Sequence, residues 1–239
     1  MYKIVLLRHG ESQWNLENRF TGWTDVELTK KGEREARFAG QILKSKKFEF
    51  DLIYTSFLKR AQRTMNICIK EMSLNNVPIK DEWRLNERHY GALQGLNKLD
   101  TAKKYGEKQV LIWRRSYDIA PPPLLKSDKR NPGFDKKYKS LNDFEIPCSE
   151  SLKDTIERII PLWNNSIKSE ILSNKRILIV AHGNSIRALI KYLDNISNEK
   201  ILQLNIPTGV PLIYELDRKI KPIKHYYLGD INQINKKVS

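Results

Sequence analysis

Cysteine is nearly absent from this chain. Its 239 residues hold two, Cys68 and Cys148. They lie far apart with no CxxC spacing, so a disulfide framework or thiolate metal site is not expected, and both read as free thiols of a reducing compartment. Long apolar runs are missing too. The purest is Ile177-Leu178-Ile179-Val180-Ala181, far short of the roughly 20 residues that cross a bilayer. A secretory leader is not expected, because Met1-Tyr2-Lys3 runs straight into a strand-like segment ending on Arg8. These absences point to a cytoplasmic protein with no membrane partner. There is no GxxxxGK[ST] phosphate loop, no metal-ligand cluster, no solenoid repeat and no low-complexity tract.

Acidic charge is scarce as well. Asp and Glu number 28 against 43 Lys and Arg, for a formal net charge of +15 and a pI of about 9.7. Such a field attracts polyanions: nucleic acid, anionic membrane or small phosphorylated molecules. The lysine-rich stretch 126–139 is interrupted by Asp128 and Asp135 and reads as a solvated loop. No element interleaves basic and aromatic residues as a nucleic-acid platform does. Small phosphorylated ligands are therefore expected, and nucleic acid is not.

What is present reads as one globular α/β domain over 1–239, with 230–239 a polar tail. Residues 3–7 (KIVLL) form a strand that is apolar on both faces, as in a parallel sheet covered by helices. Thr29 is a candidate N-cap for a helix with Ala36, Ala39, Ile42 and Leu43 on one side. Residues 51–55 give a second strand, and Ser56 is expected to cap the helix that carries Arg60, Met65, Ile69 and Met72. A long helix over 151–172, kinked at Pro161, follows from apolar residues at near-3.6 spacing. Residues 176–181 form another buried strand, with a helix over 186–193 capped at Ser185. Residues 212–216 and 224–228 read as edge strands beside Pro211 and Pro222. Strands alternating with helices predict a mostly parallel sheet. Two stretches, 81–95 and 120–147, look irregular, and the second reads as a lid or binding loop.

One feature recurs. The first strand ends in Arg8-His9-Gly10 and a later buried strand ends in Ala181-His182-Gly183-Asn184. Ligands of open parallel sheets bind beyond the carboxyl ends of the strands, so two neighbouring strands of this kind set two imidazoles on one rim. A neutral imidazole attacks phosphorus directly. Arg8 adds a planar fork of donors for phosphoryl oxygens, and Arg60 at a helix start adds a second anion site. Glu87, in the irregular stretch Asn86-Glu87-Arg88-His89-Tyr90-Gly91, is the candidate acid, since an enclosed carboxyl can act as proton donor. Adjacent Arg114 and Arg115 do not share a helix face. His89 and His225 read as structural.

These residues carry a resemblance. Arg8-His9-Gly10-Glu11-Ser12-Gln13-Trp14-Asn15 and Phe20-Thr21-Gly22-Trp23 are similar to the signature of the bisphosphoglycerate-dependent phosphoglycerate mutases, within the histidine phosphatase superfamily. So are the segment from Glu87 to Lys98 (ERHYGALQGLNK), Trp113-Arg114-Arg115 with Pro121-Pro122-Pro123, Ala181-His182-Gly183-Asn184-Ser185 and Pro207-Thr208-Gly209-Val210-Pro211. The similarity runs from about residue 3 to 229; the RHG triplet marks the superfamily, and ERHYGALQGLNK and WRR mark the mutase branch.

The resemblance implies a three-layer sandwich with helices on both faces of the sheet. It implies interconversion of 3- and 2-phosphoglycerate, primed by 2,3-bisphosphoglycerate and without metal, in a homodimer or homotetramer. His9 would carry the phosphate, Glu87 would donate the proton, and His182 would stabilise the transferring group. Arg8, Arg60 and Asn15 would hold that group with the backbone of Gly183 and Asn184. Thr21, Gly22, Arg88, Tyr90, Lys98, Arg114 and Arg115 would hold the rest of a small phosphorylated three-carbon acid, with Gly10, Glu11, Ser12 and His89 also in contact. Alternatives in the same superfamily are a bisphosphoglycerate synthase, which tends to carry Gly where Ser12 stands, and a broad phosphatase with water as acceptor.

Overall fold

A computed structural model describes residues 1–229. Six strands form one sheet: β1 (Tyr2–Arg8), β2 (Leu52–Thr55), β3 (Ile79–Asp81), β4 (Ile177–Ala181), β5 (Pro211–Leu216) and β6 (Pro222–Tyr227). Their order is β3-β2-β4-β1-β5-β6. The pairs from β3 to β1 are parallel, whereas β5 runs antiparallel to both β1 and β6. The expected mostly parallel sheet is present, with a correction at one edge. β5 is not an edge strand but lies between β1 and β6, and its six residues are all buried. β3, three exposed residues inside polar sequence, is the other edge and has no apolar periodicity to announce it.

Period-two alternation splits the sheet residues between two cores. Ile4, Leu6, Ile177 and Ile179 face α6 (Leu152–Leu162), α7 (Lys168–Leu172) and α8 (Gly183–Leu193). Val5, Leu7, Leu178 and Val180 face α2 (Lys30–Ser45) and α3 (Lys59–Glu71) through Ala39, Leu43, Met65 and Cys68. The expected three layers result. α1 (Gln13–Leu16), α4 (Lys98–Tyr105), α5 (Glu107–Arg115) and α9 (Asn198–Ile201) are short, and α5 buries Val110 alone, so their apolar faces leave little mark on the sequence. Both cysteines are free.

Capping decides the helix starts. The Thr29 side chain accepts from Gly32 N–H, as expected, and Ser151 forms a reciprocal capping box with Asp154. Pro161 does not end its helix. The chain continues through a π-helical turn, Trp163–Ile167, into α7. Two expected caps are corrected. α3 starts after Leu58 rather than Ser56, and α8 starts at Gly183 with His182 as N-cap, one turn earlier than Ser185.

α2 crosses α3 at Gly40, where a Cβ would stand 2.5 Å from the Cys68 carbonyl oxygen and 2.7 Å from Glu71 Cβ. Helix propensity alone favours alanine over glycine by about 1 kcal/mol. Overpacking against backbone opposes that by roughly 1–3 kcal/mol. Gly40→Ala is therefore expected to lower stability in urea unfolding; a raised midpoint would mean that the two helices separate freely.

Candidate active site

β1 and β4 pair in register up to Arg8 opposite Ala181, and the His9 N–H donates to the Ala181 carbonyl at 3.0 Å. The next residue of each strand is therefore a histidine at the same height, and the two rings lie 4.9 Å apart at 61°. The helices that follow the two strands pack on opposite faces, α2 on one and α8 on the other, which opens a crevice between the strand ends.

Hydrogen bonds assign the protons of both rings. His9 Nδ1 lies 2.7 Å from the Gly10 carbonyl, which can only accept, so Nδ1 carries the proton and Nε2 the lone pair. Arg60 Nε donates to that Nε2 at 3.3 Å, while its other nitrogens donate to the carbonyls of Thr24 (2.9 Å) and Gly22 (2.8 Å). Burial, then Arg60 and Arg8, holds the His9 pKa well below the usual imidazole range. A buried neutral imidazole with an aimed lone pair is a nucleophile. His182 Nε2 lies 2.7 Å from Ser56 Oγ, which accepts from the Leu58 N–H at 3.2 Å. The Ser56 hydroxyl proton has no other acceptor among the described residues, so it donates to Nε2 and leaves the ring proton on Nδ1. That Nδ1, like Arg8 Nε, is a buried donor without a protein partner.

A cavity of about 160 Å³ opens beside His9. Arg8, Arg60, Asn15, Thr21 and Glu87 line it near the imidazole, with Gly183 and Asn184 at the N-terminus of α8. Tyr90, Lys98, Arg114 and Arg115 line it farther out, so both members of the arginine pair reach the same space. Arg115 is held by the Leu202 carbonyl and Asn205 Oδ1, each at 3.2 Å. Glu87 is the carboxylate of the lining; its Oε1 accepts from the N–H groups of Arg88 (2.8 Å) and Asn184 (3.1 Å).

Six expected contacts stand behind the lining instead. A Cβ on Gly10 would collide with the Gly32 backbone, so that glycine lets α2 pack beneath the site. Glu11 turns away to Thr29 (2.9 Å) and Lys31 (2.8 Å). Ser12 caps α1 in a box with Asn15. Gly22, at φ +53°, presents its carbonyl to Arg60. Arg88 is buried over the Tyr90 ring and donates to the Arg114 carbonyl at 3.0 Å. His89 accepts the Gly91 N–H on Nδ1 at 3.0 Å. Ser12, Gly22 and Arg88 hold the lining residues Asn15, Arg60 and Arg114 in place, and Gly10, Glu11 and His89 pack against residues outside the lining.

Arg19, Phe20, Arg187 and Asn205 line the cavity and were not expected to. Arg187, one turn into α8, donates to Asn184 Oδ1 at 2.7 Å and to the Leu204 carbonyl at 3.0 Å. Its sequence signal was its place one turn along the helix that His182 opens. Among the described residues no three His, Cys, Asp or Glu side chains gather where a metal could bind, and no helix is long and apolar enough to cross a membrane. The polar 230–239 tail lies outside the described residues.

Two neutral imidazoles, a clamp of arginines, a helix N-terminus and one carboxyl group form a site for moving a phosphoryl group. The model of the histidine phosphatase superfamily (branch 1) matches residues 4–130 and 125–227. The chain belongs to that superfamily. Its members are phosphoryl-transfer enzymes. Among solved structures, a mycobacterial glucosyl-3-phosphoglycerate phosphatase complexed with VO3 is 23% identical over 95% of this chain and 98% of its own, at a TM-score of 0.72. YhfR of Bacillus stearothermophilus is 23% identical over 96% and 97%, at 0.71. An alpha-ribazole phosphatase from Shigella flexneri is 20% identical over 93% and 94%, at 0.66. At these identities the likeness speaks for the fold, which the superfamily match and the six-stranded sheet share.

Burial of the imidazoles has a measurable consequence. His9 and His182 are held well below, and His89 to about 3, chiefly by desolvation. The unfolded chain protonates these rings near pH 6.5 while the folded chain resists, so their contribution is intact above pH 6.5 and is lost as pH falls below it. His225, raised by Asp194, acts in the opposite sense but is half exposed and weaker. Stability from urea unfolding should fall between pH 6.5 and 5 by up to about 1.4 kcal/mol per pH unit for each of the three. A flat profile over that window would mean the rings are protonated in the folded chain.

Proposed function

We propose that this enzyme interconverts 3- and 2-phosphoglycerate through a phosphohistidine at His9, primed by 2,3-bisphosphoglycerate. The observation that carries the reading is a second group of cations in the cavity. Arg60 and Arg8 are the cations that act on His9 and suffice for one phosphoryl group, yet Lys98, Arg114, Arg115 and Arg187 line the same cavity. A phosphate brings about −1.5 to −2. Two of them and a carboxylate bring roughly −4 to −5, the kind of ligand that such a lining balances.

The chain's own groups supply each step. His9 Nε2 attacks phosphorus, so an N–P bond forms as the P–O bond to the substrate breaks, and its contact with Arg60 gives way. Arg8, Arg60 and the N–H groups at the start of α8 hold the equatorial oxygens. His182 donates through Nδ1–H as charge builds there. Glu87 gives its proton to the departing oxygen and recovers one from the hydroxyl that attacks in the return half-reaction. The donors Arg8 Nε and His182 Nδ1, unpartnered within the protein, fit a phosphoryl ligand. All the positive charge comes from side chains, so we propose that no metal takes part.

A second reading is hydrolysis, with water in place of the sugar-acid hydroxyl. It is favoured by the names of the structural relatives, which include two phosphatases.

One experiment separates them: a coupled assay with 3-phosphoglycerate, with and without trace 2,3-bisphosphoglycerate. Formation of 2-phosphoglycerate that rises with priming and survives chelator is expected. Phosphate release without 2-phosphoglycerate would establish the hydrolase, and activity restored by Mg²⁺ after chelation would overturn the metal-free scheme. His9→Ala should lose both turnover and an acid-labile, alkali-stable phosphate label. His182→Ala should slow turnover by about 10²-fold or more. A label on another residue would reassign the nucleophile.

A further inference from the structure

One buried ion pair takes no part in lining the cavity. Glu150, just before the N-cap of α6, and Arg158, within α6, keep side-chain exposures of 4% and 8%. Arg158 Nε and Nη2 donate to the two carboxylate oxygens at 2.6 and 3.0 Å. The same guanidinium also donates to three backbone carbonyls: Nη1 to Arg84, and Nη2 to Asn86 and Glu87, each of the latter at 3.0 Å. Glu150 completes the clamp from the other side. Its Oε2 accepts the His89 N–H at 2.7 Å, and its own N–H donates to the His89 carbonyl at 2.9 Å.

All of these bonds converge on 84–89, the stretch that carries Glu87. It begins within one 3-10 turn, Trp83–Leu85, and ends before another, Gly91–Leu93, and belongs to none of the six strands. The Glu87 carbonyl accepts from Arg158 and, at 2.6 Å, from Trp23 Nε1. Its side chain leaves the opposite way, toward the α8 N-terminus and the cavity.

We propose that the Glu150–Arg158 pair is a positioning device that fixes the angle at which Glu87 presents its carboxyl group to the cavity. This rests on the proton-donor reading of Glu87 given above. Stability alone does not call for such a pair, because desolvating two charges offsets much of their attraction and apolar packing would serve as well. What an apolar contact lacks is a planar fork able to bond a carboxylate and several carbonyls at fixed angles, and lysine lacks it too. Misplacing a catalytic group by about 1 Å can lower turnover about 10²-fold.

The test is steady-state kinetics of the full-length enzyme with primed 3-phosphoglycerate, or by phosphate release if it proves a hydrolase. Wild type, Arg158→Lys, Glu87→Gln and the double variant are compared well below their unfolding temperatures. Arg158→Lys should lower kcat by about 10- to 100-fold with KM changed less than about threefold. In the Glu87→Gln background it should change kcat less than about twofold, because it acts through the group already removed. Should Arg158→Lys not fold, Glu150→Gln, which loosens the same clamp from the other partner, should show the same dependence on Glu87. A lowered Tm with wild-type kcat would make the pair structural only, and multiplying effects of the two variants would place its action elsewhere; either overturns the proposal. An unchanged kcat in Glu87→Gln itself would instead remove Glu87 as donor, a failure of the functional reading that the single variant reveals on its own.

Discussion

The parallel pairing of β1 with β4 is the contact on which the site depends. The ladder runs from Ile4 opposite Ile177 to Arg8 opposite Ala181, so a slip of one residue would move every apolar side chain of β1 to the other face. Because both faces are covered, each by its own helices, that slip would mismatch two cores at once. The register that satisfies the packing is therefore the register that sets His9 beside His182. The catalytic geometry is inherited from the core and needs no separate specification.

Electrostatics works against the fold at the same place. Arg60 is buried and Arg8 half-buried at the cavity, and burial lowers Arg60 to about 10, still charged near neutrality. Carbonyl oxygens absorb what a carboxylate would elsewhere. Arg8 donates to Ile206, and Arg60 to Gly22 and Thr24. Carbonyls satisfy most of the donors but leave Arg8 Nε open, and Glu87, Glu35 and Asp25 offset the charge only through space, so an anion stabilises the site. A carboxylate partner for each arginine would steady the free protein and remove the attraction for phosphate. The near absence of acidic side chains in the lining is thus a condition of binding.

How much of this was legible in the sequence follows from how each feature is encoded. His9 and His182 were legible because each ends an apolar strand, a local pattern, and their adjacency follows from the rule for ligands at strand ends. Thr29 was legible as a cap for the same reason. Ser56 was misread: a serine before a helix looks like a cap, but its hydroxyl is engaged 126 residues away by His182. Gly10, Glu11, Ser12, Gly22, Arg88 and His89 sit inside motif segments, and a motif does not distinguish the residue that faces a ligand from the one that holds it in place. Arg187 follows one turn after the His182 motif, its one sequence signal, whereas Asn205 reaches the cavity from a segment with no motif, so only the turn after α9 reveals it.

Under the proposed function, the site divides its labour between breaking a P–O bond and choosing the acceptor, mutase substrate or water. The parts that break the P–O bond hang on strands β1 and β4 and on the Glu87 stretch, which the buried Arg158 ties to α6. The outer cations come from α4, α5 and α8: Lys98, Arg114, Arg115 and Arg187. On the proposed reading, those outer groups touch no bond that changes and act by deciding which molecule stays long enough, and in which orientation, to receive the phosphoryl group back. Binding that is equal in ground and transition states does not speed the chemical step, so these cations contribute nothing to attack by His9. What they alter is the competition after it. A bound phosphoglycerate that keeps its hydroxyl against the phosphohistidine has an effective concentration that a passing water does not match. Shifting the balance from transfer to hydrolysis then requires no change at His9, His182 or Glu87, only a weaker hold by the helices around them.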